Sequence, residues 1–115
     1  MRRGDVYWVD FEPSVGSEAD KVRPAVVVSN DGANRAVEGT GSGVVTVIPL
    51  TRSVARIYPF QTMVPAGECG LSTHSKAQAE QVRSVAPERL HERLGRVSPA
   101  TLSHMSEALR LHLAL

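Results

Sequence analysis

The sequence has one cysteine, Cys69, which excludes an internal disulfide framework and suits a reducing cytoplasm, the location expected for the chain. Long apolar runs are missing: none approaches the ~20 residues of a spanning helix, so no membrane association is expected. Residues 1–12 begin with two arginines but have no apolar stretch and no small-residue cleavage site, so they do not read as a secretory signal. Neither sign of charge dominates. Thirteen basic residues stand against twelve acidic, a net charge of +1 and a weak footprint for gripping long nucleic acid through many phosphates. A short, local basic cleft remains compatible with that balance. His74, His91, His104 and His112 are scattered and Cys69 has no CxxC partner, so neither a metal centre nor a cofactor is expected. G-x-S-x-G, P-loop and GxGxxG patterns are absent, and the glycines at 39–43 lack the Lys-Ser/Thr that would make them a phosphate loop.

The 115 residues suffice for one core and are too few for two, so the chain is read as a single domain over 1–115. Short strand-like runs dominate. Asp5 to Phe11 alternates, with Val6, Trp8 or Tyr7, and Val9 or Phe11 on the buried side. Ala25–Asn30 reads as a buried second strand, after which a short helical turn is expected from Asp31 to Ala36 and a flexible connection over 38–43. Val44–Leu50 is a third strand, Ile57–Val64 a fourth with Pro59 marking an edge or bulge, and Ala77–Val85 a fifth. Regular spacing with Gly/Pro turns indicates a small β-barrel. Ser98-Pro99 then opens a C-terminal helix, an N-cap hydroxyl followed by proline in the first turn. Leu102, Met105, Leu109 and Leu113 form its apolar stripe, widened by Leu111 and Leu115. The expected class is therefore mainly β with α.

Arg23 draws attention because a permanently charged fork stands at the mouth of a buried strand, just before Pro24, after the polar segment 13–22. On charge and position alone, an ion pair with Asp20 or Glu18 is the simpler account. Thr51 ends the run 44–50 in a similar way, and two strands that each deliver a polar group at one end are a candidate anion site. Eleven of the thirteen basic residues are arginine, which suits bidentate phosphate contacts, although a GC-rich genome accounts for it more simply. Ser72-Thr-His-Ser-Lys76 is a polar cluster before a strand; His74 is either a proton-transfer group or a solvated loop histidine. Trp8 is read as core.

In order along the chain come Gly4-Asp5-Val6, Asp10 and Pro13, Gly16-Ser17-Glu18, and Arg23-Pro24 with Val26-Val27-Val28-Ser29-Asn30. Thr46-Val47-Ile48-Pro49-Leu50-Thr51, Tyr58-Pro59-Phe60, Lys76 to Val85, Arg89-Leu90 and Gly95 follow. Together they resemble the MazF/PemK family of endoribonuclease toxins over nearly the whole chain, with wording most like actinobacterial members. The resemblance implies a small SH3-like barrel that forms a homodimer and cleaves single-stranded RNA at short sequences without a metal. It also implies a cognate MazE-like antitoxin as partner and, with that antitoxin, operator DNA. Arg23 and Thr51 match the family's catalytic pair, which reverses the preference for an ion pair. Ser17, Glu18, Lys21, Lys76, Glu80 and Gln81 are then expected to contact RNA, with His74 and Ser75 as accessory groups; Glu80 has an alternative as an ion-pair partner of Arg83. Some PemK-type members use an Arg and an Asp near the start of the late strand. Thr73-His74-Ser75-Lys76 offers neither, which favours the Arg23–Thr51 pair.

The implied reaction is attack of the ribose 2′-OH on its own phosphate, leaving a 2′,3′-cyclic phosphate and a 5′-OH. It needs in-line alignment, stabilisation of charge on the phosphoryl oxygens and two proton transfers. An arginine supplies five donors in a fixed fork but, being always protonated, is a poor literal acid. A threonine can orient a hydroxyl but is a poor base, so the base is not identified. Two rivals share the fold: a CcdB-like DNA gyrase inhibitor, which has no need of the Arg23 and Thr51 pair, and a noncatalytic RNA-binding barrel. The second would use exposed aromatics, whereas all five here (Tyr7, Trp8, Phe11, Tyr58, Phe60) lie in strand-like runs.

Overall fold

Val45–Thr51 is the strand on which the architecture turns, because it pairs with three others. The computed structural model describes residues 1–12, 16 and 21–115. Seven antiparallel strands occur among them: β1 Asp5–Asp10, β2 Val22–Val27, β3 Val45–Thr51, β4 Gln61–Val64, β5 Ser75–Gln78, β6 Arg83–Val85 and β7 Leu90–Arg96. Their order is β4-β5-β3-β2-β1-β7, with β6 also on β3. The sheet is open: among the described residues no ladder joins β4 to β7. Along one edge, β3 pairs with β6 through Val45, Thr46 and Val47, then with β5 through Leu50 and Thr51. Pro49, which has no N–H to donate, sits in the gap where one partner gives way to the other. The expected fifth strand, 77–85, is thus two short strands separated by a 3-10 turn at Ala79–Gln81.

Side chains of β2 and β3 alternate between two apolar clusters, one on each face of the sheet. Val26, Val28, Ile48 and Leu50 join Val6, Val64, Met105 and Ala108 in one; Ala25, Val27, Val45 and Val47 join Val9, Phe11, Val37 and Val85 in the other. β1 alternates in the same way, with Val6 in the first cluster and Tyr7, Val9 and Phe11 on the side of the second. Its pairing with β2 is unbroken, whereas its pairing with β7 slips between Val6 and Tyr7 and again between Tyr7 and Val9, each time with an extra residue on β7. Trp8, expected in the core, lies on the same face as Val6 but at the rim of a cleft, and is half-buried.

Two helices cover the faces. α1, Asp31–Thr40, is longer than the expected turn: the Asn30 side chain accepts from Ala33 N–H at 2.8 Å, and Gly41, at φ 69°, donates its N–H to Val37 O at 2.7 Å. α2, Pro99–Leu113, starts as expected, with the Ser98 hydroxyl accepting from Thr101 N–H at 3.2 Å. It packs on β4 and the 79–81 turn through Met105 and Ala108, with Leu102 and Leu109 partly buried, whereas Leu111, Leu113 and Leu115 are exposed. The apolar stripe thus runs past the surface it covers. No helix among the described residues is long and apolar enough to cross a membrane.

β7 was not expected from sequence. Leu90–Arg96 is an edge strand, mostly exposed and without an apolar rhythm. A buried carboxylate fastens it to β1: Asp5 accepts from Arg93 and Arg96, each at 3.2 Å, and from Arg2 N–H at 2.9 Å. Burial pushes the Asp5 carboxyl up, but the Arg93 and Arg96 bonds, the Arg2 N–H and the charge of Arg93 outweigh it and hold the group below its ordinary value.

Candidate active site

The β2–β3 ladder contains Ala25–Pro49, Val26–Ile48 and Val27–Val47 and stops there. Carried two residues further, the same register sets Arg23 opposite Thr51, and both then project from one face. Where the ladder ends, a cleft of about 620 Å³ opens, lined by both residues. Arg23 lies inside β2, opposite Val9 of β1, one residue past the strand's start instead of in the loop before it. Thr51 is the last residue of β3, and its hydroxyl oxygen accepts from Ser53 N–H at 3.3 Å, which fixes the turn that leads the chain out of the sheet.

The remaining lining has two characters. Lys21, Arg23 and Arg52 bring three positive charges, and Ser53, Ser72, Thr73 and Ser75 add hydroxyls beside Thr51. Trp8, Pro24, Leu50, Leu71 and Leu94 supply an apolar wall. Among the described residues no carboxylate and no imidazole lines the cleft. Such a lining suits a ligand with anionic oxygens on one side and a flat apolar body on the other. One corner depends on close backbone contact: Gly70, at φ 77°, leaves no room for a side chain, because a Cβ there would lie 2.6 Å from Leu94 O.

The residues expected to contact RNA separate accordingly. Lys21 and Ser75 line the cleft with Arg23 and Thr51. Ser17 and Glu18 lie outside the described residues, as does Asp20, the other ion-pair partner considered for Arg23. Lys76, Glu80, Gln81 and His74 are not among the lining. The Lys76 side chain is 8 % exposed and its ammonium donates to Arg56 O at 2.7 Å, 5.8 Å from the centre of the Tyr58 ring. Glu80 accepts from Gln61 Nε2 at 2.7 Å, not from Arg83, whose guanidinium lies 5.5 Å from the centre of the Phe11 ring. His74 Nδ1 accepts from Ala66 N–H at 3.0 Å in the turn after β4. Arg52, Ser72, Thr73 and Trp8 were not singled out as site residues by sequence. Arg52 had a usable signal, its place directly after Thr51 at a strand end.

Among the described residues there is no group of three His, Cys, Asp or Glu that could hold a metal ion. Cys69 is buried and its thiol is pushed up to about 11, first by burial and then by the charge of Glu68, so it is an unreactive packing group.

The open antiparallel sheet with its C-terminal helix recurs in known proteins. Residues 2–113 match the family described as PemK-like, MazF-like toxin of type II toxin-antitoxin system. The endoribonuclease MazF9 of Mycobacterium tuberculosis is 54 % identical over 115 residues, covering 100 % of this chain and 98 % of that protein. A crystal structure of MazF from Deinococcus radiodurans superposes with a TM-score of 0.82 at 28 % identity, over 100 % of this chain and 97 % of that one. An endoribonuclease in complex with its cognate antitoxin, from a mycobacterial species, superposes at 0.78 and 25 % identity, over 100 % and 96 %. The chain belongs to the PemK-like, MazF-like toxin family.

Proposed function

We propose that this MazF-type endoribonuclease cuts single-stranded RNA in the cleft at the end of the β2–β3 ladder, using Arg23 and Thr51 and no metal. The observation that carries the reading is the register that sets Arg23 opposite Thr51 in a cleft also lined by Lys21 and Arg52. The Arg23 guanidinium would meet two non-bridging phosphoryl oxygens and stabilise the charge that grows on them as the 2′-oxygen attacks. Thr51, held by its bond to Ser53 N–H, would orient the 2′-OH in line with the departing 5′-oxygen. The P–O2′ bond forms, the P–O5′ bond breaks, and the products are a 2′,3′-cyclic phosphate and a 5′-OH. The O2′ proton passes to solvent water and water returns one to the departing O5′, so the pair itself neither gains nor loses a proton, and His74, bonded to Ala66 N–H, is not among the lining. Lys21 and Arg52 would hold the flanking phosphates.

The toxin would work as a homodimer held inactive by a cognate antitoxin, a reading supported by the antitoxin-bound mycobacterial relative. Incubation of a defined single-stranded RNA with excess chelator tests the proposal. Discrete cuts are expected, with downstream fragments that accept a 5′-phosphate from a kinase without prior phosphatase treatment. No cleavage would leave a binding protein or a gyrase inhibitor, and fragments already 5′-phosphorylated would overturn the assigned chemistry.

A further inference from the structure

We infer that Trp8 is a stacking platform for the nucleobase next to the scissile phosphate, an inference that rests on the proposed RNA cleavage in this cleft. In β1 Trp8 shares a face with Val6, two residues before it, yet Val6 is fully buried whereas Trp8 is half-buried and lines the cleft. Its cross-strand partner is Pro24, the residue next to Arg23. Trp8 and Arg23 thus line one cleft from neighbouring positions of the β1–β2 ladder, with an apolar wall completed by Leu71 and Leu94. Leaving a large, flat ring part-exposed loses hydrophobic burial that the neighbouring core could have supplied. A nucleotide bound by its phosphate at Arg23 carries its base to just such a surface. Stacking tolerates every base, since each has a π-face, so Trp8 contributes affinity and placement instead of sequence choice.

Trp8 is the only tryptophan in the chain, so its emission reports on this one position. The probes are 2′-O-methyl oligonucleotides, which present all four bases but cannot be cut, and an abasic ribose-phosphate oligomer of equal length. Base-bearing probes are expected to quench the emission saturably, and the abasic oligomer to leave it unchanged at concentrations that occupy the site. Trp8→Phe keeps a stacking ring and should bind within about threefold of the parent. Trp8→Leu keeps apolar bulk without a π-face and should weaken binding and raise KM on the order of tenfold or more, the scale of one lost base stack. Its single-turnover rate at saturating RNA should change little, a split that simple loss of packing would not give. Quenching that is equal for abasic and base-bearing oligomers, or a folded Trp8→Leu with unchanged affinity, overturns the inference. Should Trp8→Leu fail to fold, the emission of the unmodified protein decides alone. Cleavage of natural RNA by the unmodified protein, measured alongside, keeps a failure of the stacking role distinct from a failure of the nuclease reading.

Discussion

The cleft and the β4–β5 hairpin both carry the polar residues expected of a nuclease, and they use them in opposite ways. In the hairpin the groups are already engaged: Lys76 with Arg56 O, Glu80 with Gln61, His74 with Ala66 N–H. In the cleft, Lys21, Arg23 and Arg52 line one open volume together with Thr51. Polarity in a sequence therefore shows which residues can do chemistry, while the fold decides which of them share a cleft.

The comparison predicts different symptoms on the two sides. The largest effect is expected at the ladder's end. Arg23→Lys keeps the charge but loses the planar fork, and single-turnover cleavage should fall on the order of 10²-fold, the scale of one preorganised donor. Thr51→Val should fall as far and Thr51→Ser much less, with RNA affinity changed little in all three because other cations still hold the backbone. An active Arg23→Lys would reduce that residue to a charge that merely attracts RNA.

In the hairpin the symptom should be lost stability. Lys76→Met leaves Arg56 O without its donor and should lower unfolding free energy by about 1–2 kcal/mol, with the cleavage rate of the folded fraction within about twofold of the parent. Denaturant unfolding beside active-site-normalised rates measures this, and a full-stability variant with a collapsed rate would move Lys76 into the site.

Acid sensitivity sharpens the separation. Because the Asp5 carboxyl is held below its ordinary value, its stabilising contribution is complete above about pH 4 and disappears as pH falls through the lowered folded-state value. Asp5→Asn should be less stable at neutral pH by roughly 1 kcal/mol, a modest figure because Arg93 and Arg96 are well exposed. Its acid limb should be shallower than the parent's, as read from melting temperature against pH. An equally steep limb would place acid lability elsewhere.

The smallest effect should follow His74→Ala. The imidazole is exposed and accepts one hydrogen bond in a turn, so rate and stability should both stay close to the parent's. A loss approaching that of the Arg23 variants would show that the β4–β5 turn moves into the cleft during reaction.

Local chemistry was enough to place much of this protein. The apolar runs 25–28 and 44–50, the Ser98-Pro99 start of α2 and the polar residues at two strand ends are properties of neighbouring residues, and each was legible before any fold existed. Order and spacing along the chain added the family. What failed to show depends on residues far apart in sequence. β7 has no apolar rhythm, because its hold on β1 is an ion cluster whose carboxylate lies some ninety residues away. The place of Trp8 at the rim of the cleft, opposite Pro24, also exists only once β2 is beside β1. Likewise the sequence marked Lys76 and Arg23 alike as cations near strands. Only tertiary packing buried the ammonium under a backbone carbonyl and set the guanidinium in an open cleft, because hydrogen-bond partners are assigned by three-dimensional proximity.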